Sequence, residues 1–226
     1  VMSYRLGSSG ISPDGPMIYD IAALQSMYGA TDFRDGNTLY DGSILSGDSR
    51  AWTIWDADGD DTIDASGIEG NHIIDLRGGL DDEGDVRFSE IADERVAIAL
   101  DPGTSWTKPI IIESAVTGDG DDTIYGNEAD NTLDGGDGND SYIFNSEDSE
   151  GDADTVIDSD GIGVLMFDGV SITGTAEEEV IDEPGLLPDT ETFTLEAGGI
   201  AFYCRYGELG GILIGNFNQD LATRFA

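Results

Sequence analysis

One large apolar side chain recurs at every ninth position in the middle of the chain. Three segments align in phase, "TGDGDDTIY", "GNEADNTLD" and "GGDGNDSYI", with Ile124, Leu133 and Tyr142 in the apolar position. A fourth copy lies upstream, "DADGDDTID" at 56–64, where Ile63 takes that position. Such a repeat predicts a stack of short parallel strands, each with one side chain in the core and a glycine-rich turn before it.

Before the repeats, the spacing of apolar residues changes to that of a helix. Met17, Ile21, Leu24 and Tyr28 lie at i, i+4, i+7 and i+11, and Gly29 follows the last of them. This pattern predicts an amphipathic helix with these four side chains on its apolar face. We expect the helix to cap one end of the strand stack.

Other segments alternate between apolar and polar residues. The segment "NHIIDLRGG" at 71–79 is predicted to be the partner strand of the copy at 56–64, and 96–100 is predicted to form another strand. Parallel β structure is expected to begin near residue 38. After the repeats stop at Phe144, we expect short strands joined by turns, interrupted by an acidic, proline-containing loop at 175–191.

Acidic residues dominate the charge of the chain. Its 226 residues include 48 acidic and 9 basic side chains, for a formal net charge of −39. This charge excludes nucleic acid as a partner. No apolar run is long enough to span a bilayer, so membrane insertion is not expected. The single cysteine, Cys204, forms no intrachain disulfide, and bound metal becomes the candidate stabiliser.

The residue types of the repeats favour calcium among the metals. Carboxylates, asparagine amides and the backbone carbonyls of glycine turns are hard oxygen ligands, which suit Ca²⁺ rather than zinc or copper. Glycines allow tight turns, and the carboxylate at position six of each repeat supplies charge. Calcium ions between stacked turns would therefore neutralise the repulsion between the acidic residues.

The order of several segments resembles that of a known family. The segments "PMIYDIAALQSMYGA", "FRDGNTLYDG", "TIWDADGDDTIDASG", "HIIDLRGG" and "IIIESAVTGDGDDTIYGN" resemble the C-terminal half of the serralysins, secreted zinc metalloproteases of the metzincin clan. The likeness covers residues 1–144. The first residues, "VMSY", resemble the Met-turn of that clan, with Met2 beneath the zinc and Tyr4 in its ligand shell.

One element of the serralysin pattern is missing from this chain. The motif H-E-x-x-H-x-x-G-x-x-H is absent, and His72 is the single histidine. Three imidazole ligands cannot come from one residue, so we expect no catalytic residue here and zinc only in a longer parent protein. We favour a fragment of a protease whose catalytic domain lies N-terminal to Val1 over a separate product that retains the calcium module alone.

The resemblance also implies a set of calcium ligands in three groups. The first group is Arg34, Gly36 and Thr38 with Asp56, Asp58, Gly59 and Asp61; the second contains Glu113; the third is Gly118, Gly120 and Asp122 facing Gly135, Asp137 and Asp140. Ile111 stands where the family has a threonine, so a ligand at that position would be a carbonyl.

The middle repeat departs from the glycine pattern. Asn127, Glu128 and Ala129 occupy the positions that the other repeats give to the glycine triad. We therefore expect this turn to bind calcium more weakly, or only through Asn131.

The predicted fold is mainly β, a parallel β-roll of the RTX type with an N-terminal capping helix and additional C-terminal strands. The predicted units are a Met-turn remnant and capping helix at 1–33, a calcium-binding roll at 34–144 and a C-terminal β extension at 145–226.

The leading functional hypothesis is a calcium-dependent folding and secretion module of an extracellular protease. The resemblance implies export from a Gram-negative bacterium by type I secretion machinery. A second hypothesis is a stand-alone, non-enzymatic surface or adhesion protein that depends on calcium. A third is an enzyme with its own site at 145–226, where Cys204 has the sequence context of a small buried residue and no second histidine to pair with.

Overall fold

The computed structural model describes residues 12–13, 15–29, 34–45, 50–92, 94–99, 110–145, 153–158, 163–167, 169–171, 192–197, 200–206 and 211–216. These residues form a mainly β protein, as predicted, with helices α1 (Ile18–Tyr28) and α2 (Gly42–Leu45). The strands in chain order are β1 (Ser12–Pro13), β2 (Leu39–Tyr40), β3 (Arg50–Ile54), β4 (Thr62–Asp64), β5 (Ile73–Asp75), β6 (Ser89–Ile91), β7 (Glu94–Ile98), β8 (Ser114–Val116), β9 (Thr123–Tyr125), β10 (Thr132–Asp134), β11 (Asp140–Phe144), β12 (Ala153–Ile157), β13 (Gly163–Phe167), β14 (Val170–Ser171), β15 (Thr192–Ala197), β16 (Ile200–Tyr206) and β17 (Gly211–Asn216).

The strands belong to two sheets, and the chain changes sheet at each turn in its central part. In the described residues, the first sheet has the order β1-β3-β7-β6-β5-β9-β11-β13-β14, and the second has the order β15-β16-β17-β12-β10-β8-β4-β2. Strands β8 to β13 alternate between the second and the first sheet. Each of them pairs in parallel with the strand two positions before or after it in the chain.

The pairing register shows how many residues one circuit of the chain takes. Ile124 is the register partner of Tyr142, and Thr132 is the partner of Ser114. The turns follow the same register, because Asp119 forms a bridge with Asp137. In this part of the chain a circuit therefore consists of two nine-residue repeats, and repeats that follow one another directly lie in opposite sheets.

The core lies between the two sheets and is built from the apolar position of each repeat. In β4, β8, β9 and β10 the central residue is buried and its two neighbours are half-buried. The buried side chains form one cluster. Its members include Tyr40, Ile63, Ile74, Ala115, Ile124, Leu133, Tyr142, Phe144 and Val156.

Two predictions about strand pairing were wrong. The strand in 71–79, which is β5, does not pair with β4; β4 pairs with β2 and β8, whereas β5 pairs with β6 and β9. The reason is the alternation between sheets, which places consecutive strands across the core from each other. Parallel pairing also includes residues before 38, because β1 pairs in parallel with β3.

The predicted N-terminal helix exists as α1, and its predicted apolar face was partly wrong, since Ile21 is buried but Leu24 and Tyr28 are exposed. The buried residues of α1 are Ile18, Ile21 and Gln25, whereas Leu24 is 37% exposed and Tyr28 is 79% exposed. The i, i+3, i+7 spacing of the buried set is as regular a helical stripe as the predicted one. Apolar residues occur on both stripes, so the spacing alone did not identify the buried side.

Parallel pairing continues after the last repeat. Strand β12 pairs in parallel with β10, and β13 pairs in parallel with β11. The later strands are antiparallel: β14 pairs with β13, and β17, β16 and β15 follow β12 in the second sheet. Leu100 and the loop at 175–191 lie outside the described residues. No helix in the described part of the chain is long and apolar enough to cross a membrane.

Replacement of a side chain in the apolar position should destabilise the stack strongly. Ile124 is completely buried, so Ile124→Ala should leave a cavity and lower the free energy of unfolding by ~2–5 kcal/mol. Ile73 lies on the neighbouring strand of the same sheet and is 39% exposed, so Ile73→Ala should change it by ~0.5 kcal/mol or less. Denaturant unfolding of both variants under identical ion conditions measures the difference. Equal losses would contradict the assignment of the core.

Candidate metal-binding turns

The turns between the sheets stack along two edges of the structure. Turns that enter the second sheet form the first edge: 34–38, 55–61, 110–113 and 126–131. Turns that enter the first sheet form the second edge: 65–72, 117–122 and 135–139. The residue at the end of each turn immediately precedes a strand, so equivalent residues of neighbouring turns lie beside each other.

Carboxylates link neighbouring turns along the first edge. The Asp61 Oδ1 atom accepts a hydrogen bond from the backbone N–H of Thr38 at 2.7 Å. The backbone N–H of Asp61 in turn donates to Oε2 of Glu113 at 2.8 Å. Three successive turns are therefore joined through side-chain oxygens.

The second edge repeats this arrangement with two aspartates. The backbone N–H of His72 donates to Asp122 Oδ1 at 2.6 Å, and the N–H of Asp122 donates to Asp140 Oδ1 at 2.9 Å. Asp122 and Asp140 are 1% and 0% exposed. The same geometry on both edges shows that the carboxylate at position six has a fixed orientation.

A second oxygen of these carboxylates has no hydrogen-bond partner. Among the described residues, Asp61 Oδ2 and Asp122 Oδ2 are buried side-chain atoms that no donor contacts. Both side chains are 1% exposed. A buried carboxylate oxygen without a partner is costly, and nearly all buried polar atoms in proteins are satisfied. Each of these oxygens therefore marks a position where a cation would be favourable.

Glycines allow the backbones of neighbouring turns to approach closely on the second edge. A Cβ atom on Gly118 would lie 2.6 Å from the carbonyl oxygen of Ser66, and one on Gly120 would lie 2.5 Å from that of Gly70. On the next turn, a Cβ on Gly136 would lie 2.5 Å from the Gly118 carbonyl oxygen. Any larger residue would push the turns apart. The donor set at these places is oxygen from carbonyls and carboxylates, which fits Ca²⁺.

Comparison with known proteins assigns this architecture to a family. Residues 40–165, more than half of the chain, match the family model described as peptidase M10 serralysin C terminal. The chain belongs to this family. The resemblance stated from the sequence is thereby confirmed.

Relatives similar to part of this chain include two serralysins and a metallopeptidase. The serralysin of Proteus mirabilis is 35% identical over 143 residues, 58% of this chain and 26% of that protein. Serralysin G of Dickeya chrysanthemi is 35% identical over 51% of this chain and 24% of its own length. The metallopeptidase AprA of Pseudomonas marginalis is 36% identical over 53% of this chain and 24% of its own length. The chain spans about a quarter of the length of these relatives.

The structure of this serralysin C-terminal domain brings the first and second predicted ligand groups together. Besides the Thr38–Asp61 contact, the Ala57 N–H donates to the carbonyl of Arg34 at 3.3 Å, and Gly59 packs against the backbone of Gly36. Asp56 is buried and accepts a hydrogen bond from the Tyr40 hydroxyl at 2.6 Å. Asp58 is exposed. Glu113 follows on the same edge, so the two groups form one continuous row.

The third predicted group is also brought together, but the glycines that face each other across the two turns differ by one position from the prediction. The Gly120 N–H donates to the Asp137 carbonyl at 3.0 Å, and the Asp137 N–H donates to that of Gly118 at 3.2 Å. The residues that lie directly against Gly118 and Gly120 are Gly136 and Gly138. Gly135 instead accepts a hydrogen bond from the hydroxyl of Thr117. Tyr4 lies outside the described residues.

Within the described ranges, no group of three or more His, Cys, Asp or Glu side chains converges as a metal centre would. The first and third predicted groups each contain three aspartates, and among the described residues neither set of three is gathered around one point. Calcium at these turns would have to combine fewer carboxylates with backbone carbonyls. Whether these residues bind calcium therefore stays a prediction.

The sequence analysis missed two parts of the stacked turns, one on each edge. The turn at 65–72 is the neighbour of 117–122 on the second edge, and Asp154 Oδ1 accepts the backbone N–H of Asn131 at 2.9 Å. A shared pattern could have revealed Asp154, since it precedes Thr155 and Val156 just as Asp122 precedes Thr123 and Ile124. No glycine triad accompanies Asp154, so the nonapeptide pattern does not include it.

Burial makes the carboxylates of the first edge weaker acids than usual. Burial raises the pKa of Asp61 from 3.8 to about 6; the Thr38 N–H opposes this shift, and the negative charges of Asp56, Glu113 and Asp60 add to it. Burial likewise raises the pKa of Glu113. Without a cation, the fold therefore favours the protonated forms of these groups.

In the absence of metal, acid should favour the fold. Because the folded pKa of Asp61 is above its ordinary value, the folded state binds more protons than the unfolded state between about pH 4 and about pH 6. Stability is highest below this window and is lost as the pH rises through it. We expect more β signal in far-UV circular dichroism with chelator at about pH 4 than at about pH 7.

The variant Asp61→Asn should reduce this pH difference, because it removes the titrating group. Asp82 is exposed, and Asp82→Asn removes an equal charge away from the two edges. An equal reduction in both variants would show that overall charge, and not the buried position of Asp61, causes the pH dependence.

Proposed function

We propose that the chain is a calcium-binding module, a parallel β-roll that forms the C-terminal part of a serralysin-like secreted metalloprotease. One observation carries the proposal: the buried Oδ2 atoms of Asp61 and Asp122 have no partner, while the Oδ1 atoms hold the neighbouring turns. The β-roll assignment is supported by parallel strands that alternate between the two sheets.

Calcium would supply positive charge and six to eight coordination positions for oxygen between the stacked turns. On the first edge, Asp61 and Glu113 with the carbonyl of Gly36 are the residues that would hold it. On the second edge, the carboxylates of Asp122 and Asp140 with the carbonyls around Gly118 and Gly120 would do so. These residues orient one carboxylate oxygen on the backbone and leave the other for the cation.

The negative charge of the chain would make folding depend on whether the chain is in the cytosol or outside the cell. With a net charge of −39, repulsion keeps the chain expanded where free calcium is low, as in the cytosol. Outside the cell, sites with the dissociation constants of ~10⁻⁴–10⁻³ M that are typical of extracellular calcium modules would fill and stabilise the folded state. A site with calcium at ~10 times its dissociation constant contributes ~1.4 kcal/mol. An expanded chain before export and a folded chain after it suit type I secretion.

The protease activity itself would belong to a catalytic domain outside this chain. The proposal is supported by the names of the relatives, serralysins and a metallopeptidase, and by the quarter of their length that matches. One histidine, His72, cannot provide the three imidazoles of a metzincin zinc site. Its ring lies 3.0 Å from the Ile68 carbonyl and is buried, which is a structural environment.

Calcium should convert the chain from coil to β structure. We expect a coil-like far-UV circular dichroism spectrum in chelator at neutral pH and a β spectrum in millimolar calcium. Equal magnesium should not have this effect, because its smaller octahedral shell suits these turns poorly. In this titration, Asp122→Asn should raise the midpoint calcium concentration several-fold, since it removes the charge and keeps an acceptor for the His72 N–H.

The matched control is Asp119→Asn in the same turn, where the side chain is exposed. This variant should leave the midpoint close to that of the wild-type chain. A β spectrum that is the same in chelator and in calcium would contradict the proposed function.

The gene should show whether a protease domain is attached. We expect a reading frame that continues upstream of Val1 and encodes H-E-x-x-H-x-x-G-x-x-H. Sequencing of the locus decides this. A start codon at this position would favour a stand-alone calcium-dependent surface protein.

A further inference from the structure

The turn at 126–131 is the last described turn of the first edge, and it differs from the turns of the other repeats. It carries Asn127 where the repeats that begin at 117 and 135 have a glycine, and Asn131 where the other repeats have the aspartate of position six. Both side chains are buried, with 4% and 1% exposure. Neither brings a formal charge to the first edge.

The Asn127 side chain contacts two backbone carbonyls and one backbone amide. Its Nδ2 atom donates to the carbonyls of Leu76 at 3.1 Å and Ile112 at 2.9 Å. Its Oδ1 atom accepts the N–H of Ala129 at 3.0 Å. The amide therefore ties the turn to strands of both sheets, since Leu76 follows β5 and Ile112 precedes β8.

The Asn131 side chain continues this network. Its Oδ1 atom accepts the N–H of Asn127 in the same turn at 2.7 Å, whereas Asp61 and Asp122 accept the N–H of a residue in the neighbouring turn. Its Nδ2 atom donates to the Glu113 carbonyl at 3.3 Å and to Asn127 Oδ1 at 2.8 Å. The backbone donor at Asn127 requires Oδ1 on that side, so the two amide hydrogens must face the oxygens of Glu113 and Asn127.

The side chain of Asn131 differs from those of Asp61 and Asp122 in how its two terminal atoms are satisfied. In Asp61 and Asp122 one side-chain oxygen, Oδ2, has no partner. In Asn131 both side-chain atoms have partners, since Oδ1 accepts the Asn127 N–H and Nδ2 donates to two oxygens. An amide N–H can satisfy carbonyl oxygens, but an amide nitrogen is not a calcium ligand. A cation there would have to displace these hydrogen bonds and would lie against two donor groups.

We propose that the turn at 126–131 binds no calcium, because the amides of Asn127 and Asn131 take the place of the cation. The inference rests on the proposed function, since it assigns calcium to the neighbouring turns and excludes it from this one. It replaces the expectation that Asn131 provides a weak site. The turn closes through neutral hydrogen bonds whether or not calcium is present, and it joins the two sheets beside the ion-dependent turns.

The decisive variant is Asn131→Asp in the full 226-residue chain. The change puts an oxygen beside the Glu113 carbonyl and Asn127 Oδ1, so three oxygens meet, which is repulsive without a cation and a ligand set with one. We expect one more calcium ion per chain than in the wild type, counted by plasma mass spectrometry after gel filtration in saturating calcium. The calcium midpoint in circular dichroism should rise as well.

The control is Ala23→Glu, which adds the same charge to an exposed position of α1, away from the candidate turns. It should change neither the ion count nor the midpoint appreciably. An Asn131→Asp chain with the wild-type ion count and midpoint would overturn the inference.

A second variant, Asn131→Ala, keeps the test independent of whether the aspartate variant folds. If amides replace the cation, Asn131→Ala lowers thermal stability and keeps the ion count of the wild type. If the wild-type turn binds an ion through Asn131, the count falls by one, and the inference is wrong while the proposed function stands. A wild-type chain that binds no calcium at all would contradict the proposed function itself, and the inference would fall with it.

Discussion

The structure depends on how a buried carboxylate holds two neighbouring turns together. One oxygen of Asp61 or Asp122 fixes the backbone of the adjacent turn, and the other oxygen is buried without a partner. The first contact sets the register between turns, and the second creates an electrostatic cost that hydrogen bonds within the described residues do not offset. Register and charge therefore come from the same side chain, and the strands cannot stack well unless that charge is neutralised.

Turns on the first edge meet this cost in different ways. Protonation lowers it on the first edge, where burial raises the pKa of Asp61 and Glu113, but this remedy disappears near neutral pH. At 126–131 the cost is avoided, because both side-chain atoms of Asn131 have partners: Oδ1 accepts the Asn127 N–H, and Nδ2 donates to Asn127 Oδ1. A proton, an amide and the proposed cation are thus three ways to remove the cost of the same buried oxygen.

Much of this arrangement could be predicted from the sequence, because the nonapeptide specifies it locally. The period identified the buried residues of the core, such as Ile124 and Leu133, and the glycines identified the turns that face each other. Strand partners could not be predicted in the same way. Strands of three residues carry little information about their neighbours, and the alternation between sheets is a property of the closed circuit.

The remaining differences have related causes. The helix α1 has apolar residues on two stripes, and only packing selects Ile18, Ile21 and Gln25 as the buried set. Asp154 performs the task of a position-six residue without the glycines that announce one. The hydrogen-bond network of Asn127 depends on carbonyls about 15 and 51 positions away in the chain, at Ile112 and Leu76, which no local motif encodes.

The eighteen-residue circuit constrains how such a chain can lengthen. Ile124 lies beside Tyr142 because two repeats separate them, one in each sheet. Duplication of a single repeat would transfer every later strand to the opposite sheet and exchange the edge to which each turn belongs. Duplication of a pair would preserve both assignments. Viable length variants of this stretch should therefore differ by whole pairs of repeats, because only a complete circuit returns the chain to the same sheet.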